Sequence, residues 1–546
     1  MVLTVMGVLI GIVVLRLVWL QVVDAASLSE KAAGQRTNVV TLHAKRGTIY
    51  DRNGNVLAMS EDCTTIYANP KAIKDASGVA DVLVDVLGGS RSDYLELLGA
   101  DTTFQYLKRQ VDTEVADQLK EKLAERELEG VYYLSDTRRV YPYGNVGAQV
   151  LGFVGTDGAG LSGLELQYND LLTGTDGQMI VETGLYGTPI AGGASQTTPA
   201  KNGTDIVLSL DIDLQESCEQ IISEAVETYD SESGSVMVTD PKTGEIMAAC
   251  STPLPDFSNL TDASALNLKL VSDSFEPGSV FKVLTTSIGF DLGKFTSETE
   301  YAIPAFYKVG DDTVTDDDNR DYTETMTVRE MMRRSSNTAM AFLVQEVEGA
   351  KAFSEGVARY GIGQLTGIDF PGEVAGIVRS YDDYDGATAG SMAFGQAVAI
   401  PMVQIVRAFG AVANDGVPTT PHFLVSQAGE DVDWPQGEQI ISKDAADMET
   451  DVMRTVIQEG TGKHGKIEGY DIAGKTGTGE QASADGGYKA GHFVASLCGF
   501  VNADDPEALV YVGLNGMPHL ASQSSAYVFH DVMQQTINIM GVTPAE

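Results

Sequence analysis

A serine and a lysine stand three residues apart in the run EPGSVFKVLTT, as Ser279 and Lys282. On a helix this spacing places the hydroxyl and the amine on the same face, one turn apart. A serine hydroxyl is a poor nucleophile until a base removes its proton, and a lysine amine serves as that base when its pKa is lowered. No other lysine in the chain has a serine three residues before it. The pair indicates an activated serine, although a two-residue pattern also arises by chance.

A second motif, Ser335-Ser336-Asn337, follows later in the chain. The Ser335 hydroxyl is suited to relay a proton to a leaving amine. The Asn337 amide carries both a donor and an acceptor, so that it can bracket a peptide bond. Taken alone, the same residues also suit a helix cap or a kink.

A third motif, Lys475-Thr476-Gly477, is followed by Thr478. One cation and two hydroxyl groups suit the binding of a terminal carboxylate. Gly477 permits a substrate backbone to approach an edge strand closely. We therefore expect Thr476, Gly477 and Thr478 to bind substrate, beside Lys475.

The triplet Lys-Thr-Gly occurs twice, and the earlier copy, Lys242-Thr243-Gly244, tests how specific it is. That copy precedes Ser279 and separates two strand-like runs, GSVMVTD and EIMAACS, so we assign it to a hairpin turn. Only the later copy follows both other motifs. The ordered trio, rather than any single motif, predicts one site.

The elements around the trio form a regular pattern from residue 204 onward. A short strand and an amphipathic helix (IVLSLD, DLQESCEQIISEAVETY) precede the hairpin and the Ser279 helix. Residues 327–347 predict a helix with a polar interruption, and two further helices follow. Two strands (HFVASLCGFV, ALVYVGLNG) and a closing helix (SAYVFHDVMQQTINIM) end the chain. This order indicates one sheet built from both ends of the segment, with helices on its two faces.

The region from about 40 to 200 is mixed and rich in Gly and Asp. Residues 51–54 (DRNG) predict a hairpin turn, and residues 110–128 predict an exposed amphipathic helix. The small polar residues 192–203 (GGASQTTPAKNG) predict a linker.

Composition excludes several classes of protein. The 546 residues predict two or three domains, and the net charge of −41 argues against a nucleic-acid partner. The four cysteines are far apart and show no CxxC, so we expect buried free thiols. The six histidines form no metal-binding motif, and we expect neither a metal nor a cofactor.

Residues 1–23 are almost wholly apolar, and as a helix they would span about 35 Å. That length crosses a bilayer core, with the single charge, Arg16, near one end. A cleaved signal peptide is the alternative, since Val23-Asp24-Ala25 is a passable cleavage site. We favour a retained single-pass membrane anchor because the run is long for a signal sequence.

The trio resembles the penicillin-recognising serine transpeptidases and β-lactamases. Longer segments resemble class B penicillin-binding proteins in particular. Those similar to the pedestal domain of that class are RGTIYDRNGNVLA, RRVYPYGNVGAQVLGFVG and GLSGLELQYNDLLTGTDG; those similar to its transpeptidase domain include VTDPKTGEIMA, GQAVAIPMVQIVRAFGAVANDG and CGFVNADDPEALVYV.

The resemblance implies a multidomain α/β (α+β) fold. We expect a transmembrane anchor over 1–23, an elongated β-rich pedestal of the dimerisation type over 24–203, and a transpeptidase domain over 204–546. The last has a central antiparallel sheet covered by helices. The implied catalytic residues are Ser279, Lys282, Ser335, Asn337 and Lys475.

The implied activity is the cross-linking of peptidoglycan stem peptides outside the membrane. Ser279 would attack the penultimate D-Ala of a D-Ala-D-Ala donor, and backbone N–H groups of Ser279 and Thr478 would bind the oxyanion. Lys282, held neutral by burial and by Lys475, would take the proton, although the identity of the base is disputed across the family. β-Lactams would mimic the donor.

Two other functions stay open at this point. A β-lactam hydrolase shares the trio, but has no use for a pedestal or an anchor. A scaffold for a membrane glycan polymerase is the other, and the resemblance implies a SEDS-type glycosyltransferase as that partner. The sequence does not decide between elongation, division and sporulation.

Overall fold

The computed structural model describes residues 1–24, 37–182, 195–257, 259–260, 262–482 and 488–544. The chain divides into two compact units. The first comprises Met1–Gly47, Ser60–Arg139 and Leu171–Thr204, and the second comprises Thr48–Met59, Val140–Asp170 and Asp205–Glu546. The domain limits 1–23, 24–203 and 204–546 stay a prediction.

The helices and strands are numbered in chain order. The helices are α1 Val2–Val18, α2 Ala76–Leu87, α3 Arg91–Leu98, α4 Thr113–Glu125, α5 Ala148–Leu151, α6 Gly163–Gln167, α7 Asn169–Leu172, α8 Ile212–Thr228, α9 Lys269–Ser272, α10 Lys282–Asp291, α11 Val328–Arg333, α12 Asn337–Phe342, α13 Ala350–Arg359, α14 Thr388–Met392, α15 Met402–Ala413, α16 Lys443–Glu459 and α17 Ser525–Met540. The strands are β1 Thr37–Leu42, β2 Ile49–Tyr50, β3 Val56–Ala68, β4 Gln105–Val111, β5 Val131–Val140, β6 Gly177–Glu182, β7 Ser195–Thr198, β8 Ile206–Leu208, β9 Ser233–Thr239, β10 Ile246–Ser251, β11 Glu300–Ile303, β12 Phe306–Val309, β13 Asp312–Thr315, β14 Glu324–Thr327, β15 Leu424–Gln427, β16 Glu430–Asp431, β17 Ile472–Ala482, β18 Tyr488–Val501 and β19 Ala508–Met517.

The N-terminal helix α1 continues into a π-helical turn, Trp19–Val23. The stretch Leu3–Val22 is long and apolar enough to cross a membrane, and none of the side chains in its most apolar window is buried. At 1.5 Å per residue its 20 residues span about 30 Å, the thickness of a bilayer core. This helix indicates a single-pass membrane anchor.

The first unit packs three helices, α2 to α4, around a core that includes Ile66, Leu83 and Leu119. Helix α4 confirms the amphipathic helix predicted over 110–128. The linker predicted over 192–203 is wrong in part, because Ser195–Thr198 form β7 and pair with β6. The β7 side chains 196–198 are exposed and polar, so this strand carries no hydrophobic signal in the sequence. Residues 192–194 lie outside the described residues.

The second unit is built on a five-stranded antiparallel sheet in the order β10-β9-β19-β18-β17. Helices α8 and α17 pack on it through a large apolar core that includes Cys218, Ile222 and Phe529. Helix α15 contacts β18 and β19, and α16 contacts β17. The prediction of one sheet with strands from both ends of this segment is confirmed.

Several local predictions are confirmed as well. Pro241–Gly244 form the turn between β9 and β10, and Gly244 has a φ of +87°, as a tight turn requires. Asp51–Gly54 link β2 and β3. The four cysteines are free and buried.

Candidate active site

Ser279 lies in a 3-10 turn, Gly278–Phe281, which runs directly into α10. Gly278 has a φ of +60° and donates its N–H to the Gly395 carbonyl at 3.1 Å. A Cβ added to Gly278 would meet Gly479 N at 2.8 Å, so the turn lies directly against β17. Ser279 is half-buried, and within the described part of the chain its hydroxyl makes no hydrogen bond. It is a free hydroxyl at a helix N-terminus.

Among the described strands, β17 lies at the edge of the sheet and pairs only with β18, and it carries the later Lys-Thr-Gly triplet. A Cβ at Gly477 would meet Ser496 Oγ at 2.5 Å and the Pro277 carbonyl at 3.0 Å. The sequence suggested room for a substrate at Gly477. The structure gives another reason for a glycine at this position: without a side chain, Gly477 lets the segment that bears Ser279 pack closely against β17.

The helix predicted over 327–347 is interrupted at the second motif, where α11 ends and α12 begins. Ser335 has a φ of +57°, a left-handed conformation that costs a non-glycine residue about 1–2 kcal/mol. Ser336 caps α12 by accepting the Ala339 N–H at 3.1 Å, and Asn337 begins that helix. The break therefore leaves Ser335 outside both helices and places Asn337 at the first position of α12.

Asp316 holds this break in place, and sequence reasoning missed it. Its Oδ1 accepts the backbone N–H groups of Asn337 at 2.7 Å and Thr338 at 3.0 Å. Its Oδ2 accepts the Ser336 hydroxyl at 2.6 Å and pairs with Arg320 at 3.3 Å. In the sequence, Asp316 is one of three consecutive aspartates and nothing distinguishes it from its neighbours.

Lys282 is fully buried and joins the first motif to the second. Its Nζ donates to Asn337 Oδ1 at 2.7 Å and to the Ser335 carbonyl at 2.6 Å, and lies 3.1 Å from Ser335 Oγ. Burial lowers the pKa of Lys282 to about 7, while the charge of Asp316 acts in the opposite direction. Near neutral pH the amine can therefore accept a proton.

Lys475 is also fully buried and joins the third motif to the second. Its Nζ donates to Ser335 Oγ and to the Thr476 carbonyl, both at 2.9 Å. Burial, and then the charge of Lys282, hold the pKa of Lys475 well below its usual value. For Lys282 itself the pKa is lowered by burial, without the contribution expected from Lys475.

The two threonines of the third motif have other contacts. The Thr476 hydroxyl lies 2.5 Å from that of Thr461, and the Thr478 hydroxyl accepts the Ala521 N–H at 3.3 Å. Successive side chains of a strand point to opposite faces, so both threonines lie on the face of β17 opposite the Lys475 Cβ. The structure thus brings Lys282, Ser335, Asn337 and Lys475 into direct contact, and sets the two threonines beside them on the same strand.

Comparison with known proteins agrees with this geometry. Residues 234–534 match the penicillin binding protein transpeptidase domain, and residues 41–208 match the penicillin-binding protein dimerisation domain. The PenA protein of Neisseria meningitidis, named for peptidoglycan D,D-transpeptidase activity, is 32% identical over 100% of this chain and 93% of its own length.

Solved structures extend the likeness over both units. A protein from Atopobium parvulum, named for peptidoglycan glycosyltransferase activity, is 45% identical with a TM-score of 0.74, over 93% of this chain and 100% of its own. Penicillin-binding protein 2X from Streptococcus thermophilus is 27% identical with a TM-score of 0.77, over 92% and 81%.

The fold and the serine–lysine site define a penicillin-recognising transpeptidase. With both domains matched, the chain belongs to the class B penicillin-binding proteins. It is a peptidoglycan D,D-transpeptidase that cross-links the cell wall.

Proposed function

We propose that this transpeptidase works through a serine ester on Ser279. The Ser279 oxygen attacks the carbonyl of the penultimate D-Ala of a stem peptide, and the terminal D-Ala leaves. An amine from a neighbouring strand then attacks the ester and forms the cross-link. The observation that supports this most directly is the convergence on Ser335 Oγ of Lys282 and Lys475, at 3.1 and 2.9 Å.

Each residue then has a role. Lys282 is the base that takes the Ser279 proton, which its lowered pKa permits at neutral pH. Ser335 relays a proton to the departing D-Ala, and Asn337 brackets the donor peptide. Lys475 supplies positive charge for the donor carboxylate.

The remaining roles fall to strand β17. Thr476, Gly477 and Thr478 bind the donor carboxylate and its backbone. The N–H groups of Ser279 and Thr478 form the oxyanion hole, and one such donor is typically worth about 3 kcal/mol. Support comes from the close packing of the Gly278 turn against the backbone of Thr478 and Gly479.

We also propose that the catalytic unit is extracytoplasmic, because peptidoglycan lies outside the membrane that α1 is suited to cross. A SEDS-type glycosyltransferase is the proposed membrane partner, since it would supply the glycan strands to be cross-linked. The boundaries 1–23, 24–203 and 204–546 are kept as the proposed domain limits.

Labelling with fluorescent penicillin tests the acyl-enzyme. The unmodified protein should retain the label, and Ser279→Ala should not. Ser274→Ala, an exposed serine five residues earlier, is the matched control and should label normally. Peptide mapping should place the adduct on Ser279; labelling of Ser279→Ala at the normal level contradicts the proposal. Rapid loss of label would favour a β-lactam hydrolase, the second candidate.

A further inference from the structure

A buried acid without a role in this mechanism lies behind the two lysines. Glu449, on α16, is fully buried. Its Oε2 lies 2.6 Å from the Thr286 hydroxyl, and that hydroxyl lies 2.9 Å from the carbonyl of Lys282. Its Oε1 is buried and has no hydrogen-bond partner among the described residues.

The hydrogen count of this chain of groups indicates a protonated acid. The Thr286 hydroxyl has one hydrogen, and the Lys282 carbonyl can only accept. Every contact is satisfied when Glu449 donates to Thr286 and Thr286 donates to Lys282. An ionised Glu449 would instead be a buried charge with at most one hydrogen bond, which is costly. Burial raises the pKa of Glu449 to about 8, against the opposing effects of Thr286 and Lys475.

Two titratable side chains face Glu449 within the described ranges, Lys475 from β17 and Tyr360 from the end of α13. The Tyr360 hydroxyl is bonded to Ser287 Oγ at 2.7 Å, and burial raises the pKa of Tyr360 well above its usual value. Tyr360 therefore stays neutral. Lys475 is the group whose charge responds to Glu449, and the charge of Glu449 raises the pKa of Lys475.

We propose that Glu449 is a positioning residue of the transpeptidase site, a buried neutral acid that supplies, once ionised, the countercharge that keeps Lys475 protonated. The acid ionises late because it is fully buried and its Oε1 has no hydrogen-bond partner among the described residues. When it does so, its negative charge offsets the burial that otherwise drives the proton from Lys475. The positive charge beside Ser335 would thus persist to higher pH than a buried lysine alone allows.

The pH profile of acylation by fluorescent penicillin tests this inference, which rests on the proposed acylation of Ser279. In the full-length protein, Glu449→Gln should move the high-pH limb of the profile about one pH unit toward lower pH, the lower end of the effect of a nearby opposite charge. The low-pH limb should change less. If Glu449→Gln does not fold, Glu449→Leu is the alternative variant, since it also removes the carboxyl group. It should fold because the other buried side chains of α16 are largely apolar.

Glu348→Gln is the matched control. Glu348 is another buried carboxyl whose two oxygens have no partner among the described residues, but the lysine that faces it is Lys294. The control should leave the high-pH limb unchanged. A folded, labelled Glu449 variant with an unshifted limb, or an equal shift in the control, overturns the inference. Absence of label from the unmodified protein would instead count against the acyl-enzyme itself.

Discussion

Lys475 Nζ lies 2.9 Å from Ser335 Oγ, although the two residues are 140 positions apart in the chain. The amine of Lys282 lies 3.1 Å from the same oxygen. Two ammonium groups around one hydroxyl repel each other strongly in a buried site. The charge of Lys282 accordingly helps to lower the pKa of Lys475, whereas burial lowers the pKa of Lys282, whose neutral amine provides the base.

The rate of acylation should rise with pH through neutrality. The pKa of Lys282 falls from its usual 10.5 to about 7, so the neutral amine becomes the major form above about pH 7. Below that pH the protonated amine cannot accept the Ser279 proton. Rates of labelling by fluorescent penicillin, measured across neutral pH, should give this limb, whereas Lys282→Arg should abolish labelling at every pH. A flat or falling profile would rule out Lys282 as the base.

Replacement of Asp316 should disturb both stability and acylation. Asp316→Asn removes the charge and one acceptor from a carboxylate that binds Asn337, Thr338 and Ser336. We expect a loss of about 2 kcal/mol in the free energy of unfolding, as for a hydrogen bond to a charged group. Acylation should slow about tenfold, the equivalent of 1.4 kcal/mol, because Ser335 and Asn337 lose their support.

Asp317→Asn is the matched control for that experiment. Asp317 is exposed and also acts on the charge of Lys282, yet it makes no hydrogen bond within the described residues. If both variants slow acylation equally, charge rather than positioning explains the effect. Denaturant unfolding and labelling rates distinguish the two.

Much of this site was predictable because its three motifs occur along the chain in a recognisable order. Three motifs with a hydroxyl or amine at fixed spacing locate Ser279, Ser335 and Lys475. The apolar runs HFVASLCGFV and ALVYVGLNG locate β18 and β19, the next two strands in the sheet after the one that carries Lys475. The first copy of Lys-Thr-Gly was correctly assigned to a turn, since it lies between two runs that pair as a hairpin.

The supporting residues could not be found in this way. Asp316 acts through side-chain contacts with a helix that begins 21 residues later, and no local pattern encodes such a contact. Glu449 could have been noticed in the sequence. It lies at a helical spacing between Ala446 and Met453, on the buried face of α16, where acidic residues are rare. Strand β7 was missed because its sequence, SQTT, has no apolar residue, and residues 196–198 are exposed.

A side chain at Gly278 should separate the Ser279 turn from β17. Gly278→Ala places a Cβ 2.8 Å from Gly479 N in a residue whose φ is +60°. Both backbones must then move apart, and acylation should fall at least tenfold. Gly293→Ala is the matched control, since its φ is +61° with nothing within 4 Å of the new Cβ. It should cost about 1–2 kcal/mol of stability and leave acylation intact; equal losses of acylation would show that strain alone is responsible.

The two copies of Lys-Thr-Gly provide an internal comparison of one sequence in two settings. Lys475→Ala removes a buried cation that contacts Ser335, so we expect acylation to fall by about 100-fold or more, as for the loss of one electrostatic contact to the reacting group. Lys242→Ala removes an exposed lysine that pairs with exposed Asp505, so stability should change by less than about 1 kcal/mol and acylation should not change. Labelling rates and thermal unfolding of the two variants, side by side, measure both effects. If Lys475→Ala is acylated at the rate of Lys242→Ala, the third motif has no part in acylation.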